Sequence, residues 1–133
     1  MNRGLIHLLV ACCASVSGTA IAADTAESLL AAYVAQAGAP ASPERGQKLF
    51  TTNFGKDYNG CVDCHTASPA KDGKDLLTDK RIAPLAPAAN KARFTDKHKV
   101  EMAFNMNCRD VVGRKCTAGE KADVMSWLIS LKP

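Results

Sequence analysis

Five consecutive residues, Cys61-Val62-Asp63-Cys64-His65, constrain this chain of 133 residues more than any other stretch. Two thiols three positions apart, followed at once by an imidazole, is the spacing that attaches a c-type haem. On a tight turn both sulfurs can add to the two vinyl groups on one edge of a porphyrin, and the next side chain is then aimed at iron. Zinc would need two more ligands, and Cys108 with Cys116 makes a loose, oddly spaced second half. A thioredoxin-like dithiol belongs in a βαβ setting that the pattern lacks. Cys61 and Cys64 are therefore expected to hold one covalently bound haem c, with His65 as an axial ligand.

The composition points the same way. A chain of this length makes one domain, and with only 5% aromatic residues its protein-only core is modest. A buried planar cofactor supplies apolar surface that the side chains do not.

Residues 1–23 read as a secretory signal peptide, cleaved near Ala22 or Ala23. Arg3 gives a basic start, Leu5 to about Ala14 an apolar stretch, and Ala20-Ile21-Ala22 a small-residue cleavage site. The apolar stretch is too short for a membrane anchor, because a span takes about 20 residues. A rival lipoprotein box ending at Cys12 would leave an unusually short presequence. Export predicts a periplasmic protein of residues 24–133. Removing Arg3 leaves 16 of the 17 basic residues against 13 acidic ones, a net charge of about +3. No basic block with interleaved aromatics points to nucleic acid.

The mature chain reads as all-α. Asp24 or Thr25 starts a first helix that stops near Gly38, and Ser42 with Pro43 starts a second. From Thr66 to about Arg93 periodicity disappears into a loop with Pro69, Gly73, Pro84 and Pro87. Thr95 is expected to cap a third helix running through Cys108. Thr117 and Glu120 form a capping box for the last helix, whose apolar stripe is Val124, Trp127, Leu128 and Leu131. No strand pattern is evident.

Leaving out Cys12 and Cys13, four cysteines remain for an oxidising compartment. With Cys61 and Cys64 assigned to haem, Cys108 and Cys116 are expected to form a disulfide. The second axial ligand is less obvious. On a helical wheel Ala103, Phe104 and Val111 gather on either side of Val100 and define an apolar face. Asn107 falls in the middle of that face, while Met106 and Met102 lie well to the side and Asn105 points outward. An amide so placed needs a partner, and either iron or the backbone at the helix end could be one.

Taken in order, Arg45–Phe50 ("RGQKLF"), "CVDCH", "IAPLAP", "RFTD", the cysteine pair at 108 and 116, and "TAGEKAD" resemble the sphaeroides haem protein (SHP) family of class I-like cytochromes c. The resemblance runs over most of residues 24–133. It implies a cytochrome c fold of short helices around one haem, with Gly46 and Phe50 crossing a C-terminal helix at Trp127. It implies Asn107 as an axial ligand of ferric iron, Cys108–Cys116 as the disulfide, and a dihaem cytochrome c as electron donor. Lys80, Arg81 and Arg93 are candidate partners for haem propionates, whereas His98, Tyr33 and Tyr58 read as surface or packing residues.

An amide oxygen suits Fe(III) and matches Fe(II) poorly. The resemblance thus implies an electron-accepting cytochrome that binds O₂, NO or CO when reduced, with possible O₂ or NO reductase activity. Two alternatives stand beside it: a simple electron shuttle with Met106 or Met102 as sixth ligand, and a gas sensor or scavenger without turnover.

Overall fold

The computed structural model describes residues 24–55 and 60–133. The expected leader, residues 1–23, and Tyr58 lie outside them.

Among the described residues five α-helices set the architecture, as the all-α reading expects. The first, α1 (Ala26–Ala37), is capped by Thr25, whose hydroxyl accepts from Ser28 N–H while the Ser28 hydroxyl accepts from Thr25 N–H. The second, α2 (Pro43–Thr51), starts at Ser42 with Pro43 in its first position. A single turn, α3 (Val62–His65), carries the cysteine motif. After the long loop come α4 (Lys97–Asn107) and α5 (Ala118–Ser130), the latter entered through the expected Thr117–Glu120 capping box.

Three expectations need correcting. Asp96, not Thr95, caps α4: its carboxylate accepts from Lys99 N–H at 3.0 Å, and the Thr95 hydroxyl donates back to Ala92. Asp and Thr compete for the same role, and the carboxylate is the better acceptor for the exposed N–H groups of a first turn. The loop also holds a short antiparallel ladder, β1 (Gly73–Lys74) with β2 (Arg81–Ile82). Two-residue strands are too short to show an alternating pattern. Finally, α4 does not simply stop; it widens into a π-helical turn (Cys108–Val112) closed by Gly113 at φ 83°.

The core follows from one crossing. Helices α2 and α5 meet where Gly46 lies against the backbone of Asp123 and Val124, so closely that a Cβ would overlap the Asp123 carbonyl. That contact lets Phe50 reach Trp127, their ring centroids 5.0 Å apart. Phe50, Val124, Trp127 and Leu128 form one buried cluster, and Leu29, Tyr33, Val100, Ala122 and Met125 form another between α1, α4 and α5. Polar links hold the same helices. Asp123, buried, accepts from Arg45 Nε at 2.7 Å and from Ser42 N–H at 2.7 Å. Glu101 of α4 accepts from the Tyr33 hydroxyl of α1 at 2.6 Å and from Lys121 of α5 at 2.7 Å.

Candidate functional site

The motif turn is shaped from both ends. His65 N–H donates to the Cys61 carbonyl at 3.0 Å, and Thr66 N–H to the Val62 carbonyl at 2.8 Å. Thr66 then adopts φ 61° and ψ 167°, a conformation that a β-branched residue rarely tolerates. Its hydroxyl accepts from Ser68 N–H and donates to the Ser68 carbonyl, both at 3.1 Å, which fixes the reversal directly after His65. From behind, Gly73 packs on the Cys64 carbonyl, and a Cβ there would come within 3.1 Å of the His65 Cα, so no side chain fits.

Cys61, Cys64 and His65 are all half-buried. The His65 ring lies 6.1 Å from the Phe50 ring, which in turn rests on Trp127. Burial lowers the His65 pKa and the Arg93 guanidinium adds to it, so the imidazole keeps a lone pair free for a metal. Burial pushes the Cys61 thiol up to about 11, and neither Cys61 nor Cys64 is in a disulfide. Cys108 and Cys116 are bonded to each other and so cannot complete a zinc site with the motif. Two free thiols on one turn beside a neutral imidazole fit a haem attached through thioethers. The cluster around Phe50 and Trp127 also takes in Cys61, Val62, Leu85, Phe94 and Phe104, so the motif opens onto apolar side chains from α2, α4, α5 and the loop.

The loop is held over the motif by its own backbone. The Pro69 carbonyl accepts from Leu85 N–H at 2.8 Å and Ala86 N–H at 3.2 Å. Arg93 donates to the carbonyls of Pro84 at 2.7 Å and Ala83 at 2.5 Å, with Asn90 on Pro84 as well. Arg93 is thus a clamp on the apolar loop. Arg81 is engaged by both oxygens of Asp72, at 2.6 and 2.7 Å, which leaves it a poor propionate partner. Lys80 is exposed. Gly73 and Pro69 are site positions that the sequence does not announce, because a lone glycine or proline in an aperiodic loop carries no periodic signal.

Asn107 is the last residue of α4, and its side chain is exposed, not buried among protein atoms. The buried members of the face are Val100, Cys108 and Val111, with Phe104 half-buried. Including Cys108 moves the centre of the face from Val100 toward Phe104, which leaves Asn107 on its flank beside exposed Ala103. Asn105, expected outside, is half-buried. Asn107 makes no side-chain cap bond to the following turn, so the capping role does not occupy its carboxamide. Next to it Cys108 and Cys116 are joined in the expected disulfide, Cα to Cα 5.7 Å. Met102 and Met106 are 48% and 60% exposed.

Two surface recesses of about 350 and 410 Å³ lie elsewhere, one between α2 and α5 beside Arg45 and one between Asp24 and Arg93. Neither is lined by the motif, so the donor set rather than concavity marks the site.

A mostly helical chain that crosses α2 over α5 at a glycine and presents two thiols and an imidazole in a five-residue turn is a c-type cytochrome. Residues 36–128 match the family model described as domain of unknown function DUF1924. The cytochrome c-type protein SHP of Cereibacter sphaeroides is 49% identical over 119 residues, which cover 86% of this chain and 92% of that protein. The structure of oxidised SHP, described as an oxygen-binding cytochrome c, superposes with a TM-score of 0.78 at 45% identity, over 83% of this chain and 100% of that one. Oxidised cytochrome c″ of Methylophilus methylotrophus gives 0.72 at 36% identity, over 81% and 95%. The solution structure of that cytochrome c″, concerned with haem-ligand detachment, gives 0.68 at 36% identity, over 81% and 94%. The chain belongs to the SHP family of cytochromes c. Its cofactor is one haem c, covalently attached.

Proposed function

We propose that this chain is an exported, periplasmic monohaem cytochrome that accepts electrons and takes up O₂, NO or CO once reduced, with Asn107 as its weak second axial ligand. A bound haem would supply a one-electron couple. His65 would hold its iron through a neutral imidazole. The carboxamide of Asn107 would offer a hard oxygen that suits Fe(III) and matches Fe(II) poorly. Its NH₂ group would be placed to donate a hydrogen bond to a diatomic ligand.

The observation that carries this reading is the carboxamide without a cap bond at the end of α4, three positions beyond Phe104 of the apolar cluster that also holds Cys61. Support comes from the relatives: one is described as oxygen-binding and the other in terms of haem-ligand detachment. Met102 and Met106 lie on a side of α4 turned away from that cluster, which speaks against the shuttle reading. A leader over residues 1–23, cleaved on export, and a dihaem cytochrome c as electron donor complete the proposal. Oxygen or NO reduction would follow if that donor sustains turnover; binding without turnover would make the protein a scavenger or sensor.

The test is an absorption spectrum of the ferric protein, then of the reduced protein under CO. A carbonyl adduct that forms at once, together with loss of the ferric low-spin signature in Asn107→Ala, is the expected result. A ferrous protein that stays six-coordinate and ignores CO sinks the reading.

A further inference from the structure

The outer face of α4 carries a stripe that the haem site does not use. His98, Met102 and Met106 follow one another at intervals of four residues, and all three are exposed. Each step rises about 6 Å along the helix and drifts only about 40° around it, so consecutive members are side-chain neighbours. On the helical wheel the stripe lies across the axis from the buried Val100, Cys108 and Val111, and it turns away from Asn107. Exposed methionines contribute nothing to either core, whereas Met125 is fully buried in one of them.

We infer that His98, Met102 and Met106 form a site for a soft monovalent cation, of the class of Cu(I) or Ag(I). Thioether sulfur is a soft, neutral donor that selects Cu(I) over the harder dications, and imidazole is compatible with it. Methionine's three rotatable bonds let each sulfur swing toward a shared ion without moving the helix. Met102 occupies the middle and neighbours both other donors, so it contributes to binding whichever pair closes on the ion. The charges nearby fit a single positive charge better than two. Lys97 and Lys99 flank His98; Lys99 is paired with Asp96 at 3.3 Å. The carboxylate of Glu101 is already committed to Tyr33 and Lys121. Three neutral donors in that basic surround favour a soft monovalent ion over Zn(II) or Cu(II).

Silver nitrate, titrated in chloride-free buffer into the oxidised haem-loaded protein, tests this. One equivalent is expected to bind and to shift the methyl resonances of Met102 and Met106 while leaving that of Met125 and the haem absorption unchanged. Met102→Leu, which keeps the side-chain volume and the helix, is expected to weaken binding at least tenfold. Met106→Leu and His98→Ala are each expected to weaken it less. Zn(II) at the same concentration leaves the methionine methyls unmoved. The site is refuted if silver fails to bind, if it moves the haem spectrum instead of the methyls, or if Met102→Leu binds it as tightly as the parent chain.

Discussion

Arg45 grips the carboxylate of Asp123 with two N–H groups, Nε at 2.7 Å and an amino group at 2.8 Å, across the crossing of α2 and α5. The arrangement is lopsided: the Arg45 side chain is 60% exposed and that of Asp123 only 9%. The carboxylate also accepts the Ser42 N–H at the start of α2.

Asp123→Ala removes three acceptor contacts at once and leaves Ser42 N–H without its partner beside the core. A loss of about 2 kcal/mol is expected in urea unfolding of the haem-loaded protein. Arg45→Ala, which leaves Asp123 its bond from Ser42 and a route to water, should lose clearly less. Equal losses would show that the ion pair, not the buried carboxylate, carries the effect.

Gly46→Ala is expected to be severe for a single methyl group, because the new Cβ meets backbone and the helices must separate. A loss of about 1–3 kcal/mol follows from overpacking of this kind. Gly119→Ala is the matched control. Its Cβ would sit 3.8 Å from that of Ala37, an ordinary contact, so it should be neutral or stabilise α5 by up to about 1 kcal/mol.

Hydrogen bonds from Arg114, outweighing the cost of partial burial, hold the Glu120 carboxyl down at about 2, with Thr117 N–H adding to the effect. A folded-state pKa below the unfolded one gives stability that is present above pH 4.5 and drains away between 4.5 and about 2. Because Arg114 is half exposed, solvent screening keeps the contribution to about 1 kcal/mol or less. Glu120→Gln should flatten the acid limb of the unfolding profile over that range and leave the slope near neutral pH unchanged. A steep acid limb that persists in Glu120→Gln would assign the loss to other carboxylates.

Replacing both Cys108 and Cys116 by Ser opens the short ring around the π-helical turn. Chain entropy alone gives a loss of roughly 2.5 kcal/mol. If the ring also holds Asn107 in place, the ferric spectrum should change in the double variant with haem still attached. An unaltered spectrum would restrict the disulfide to stability.

Much of this fold is written locally. The caps at Ser42 and at Thr117 with Glu120 depend on neighbours within three positions, which a local pattern reports well. The five-residue motif is legible for the same reason. The crossing of Gly46 and Phe50 with Trp127 joins distant segments and is implied only by the family resemblance. A helical wheel centred on Val100 misplaces Asn107 because it leaves the disulfide-bonded Cys108 out of the buried face, whose partners come from α1 and α5. Arg93 looks like a free charge in the sequence, yet its partners are backbone carbonyls of residues 83 and 84, which no side-chain pattern announces. Gly73 is similar: its reason for being glycine is the carbonyl of Cys64, visible only once the loop has folded back.

That folded-back loop divides tolerance to length change in two. Beyond the ladder of Gly73–Lys74 with Arg81–Ile82, the tip with Leu76 and Leu77 projects into solvent, where extra residues would disturb only the turn at Asp75. Between Ala83 and Ala86 an insertion would drag a carbonyl away from the Arg93 guanidinium or an amide away from Pro69. Natural or engineered insertions belong at the first place and not at the second.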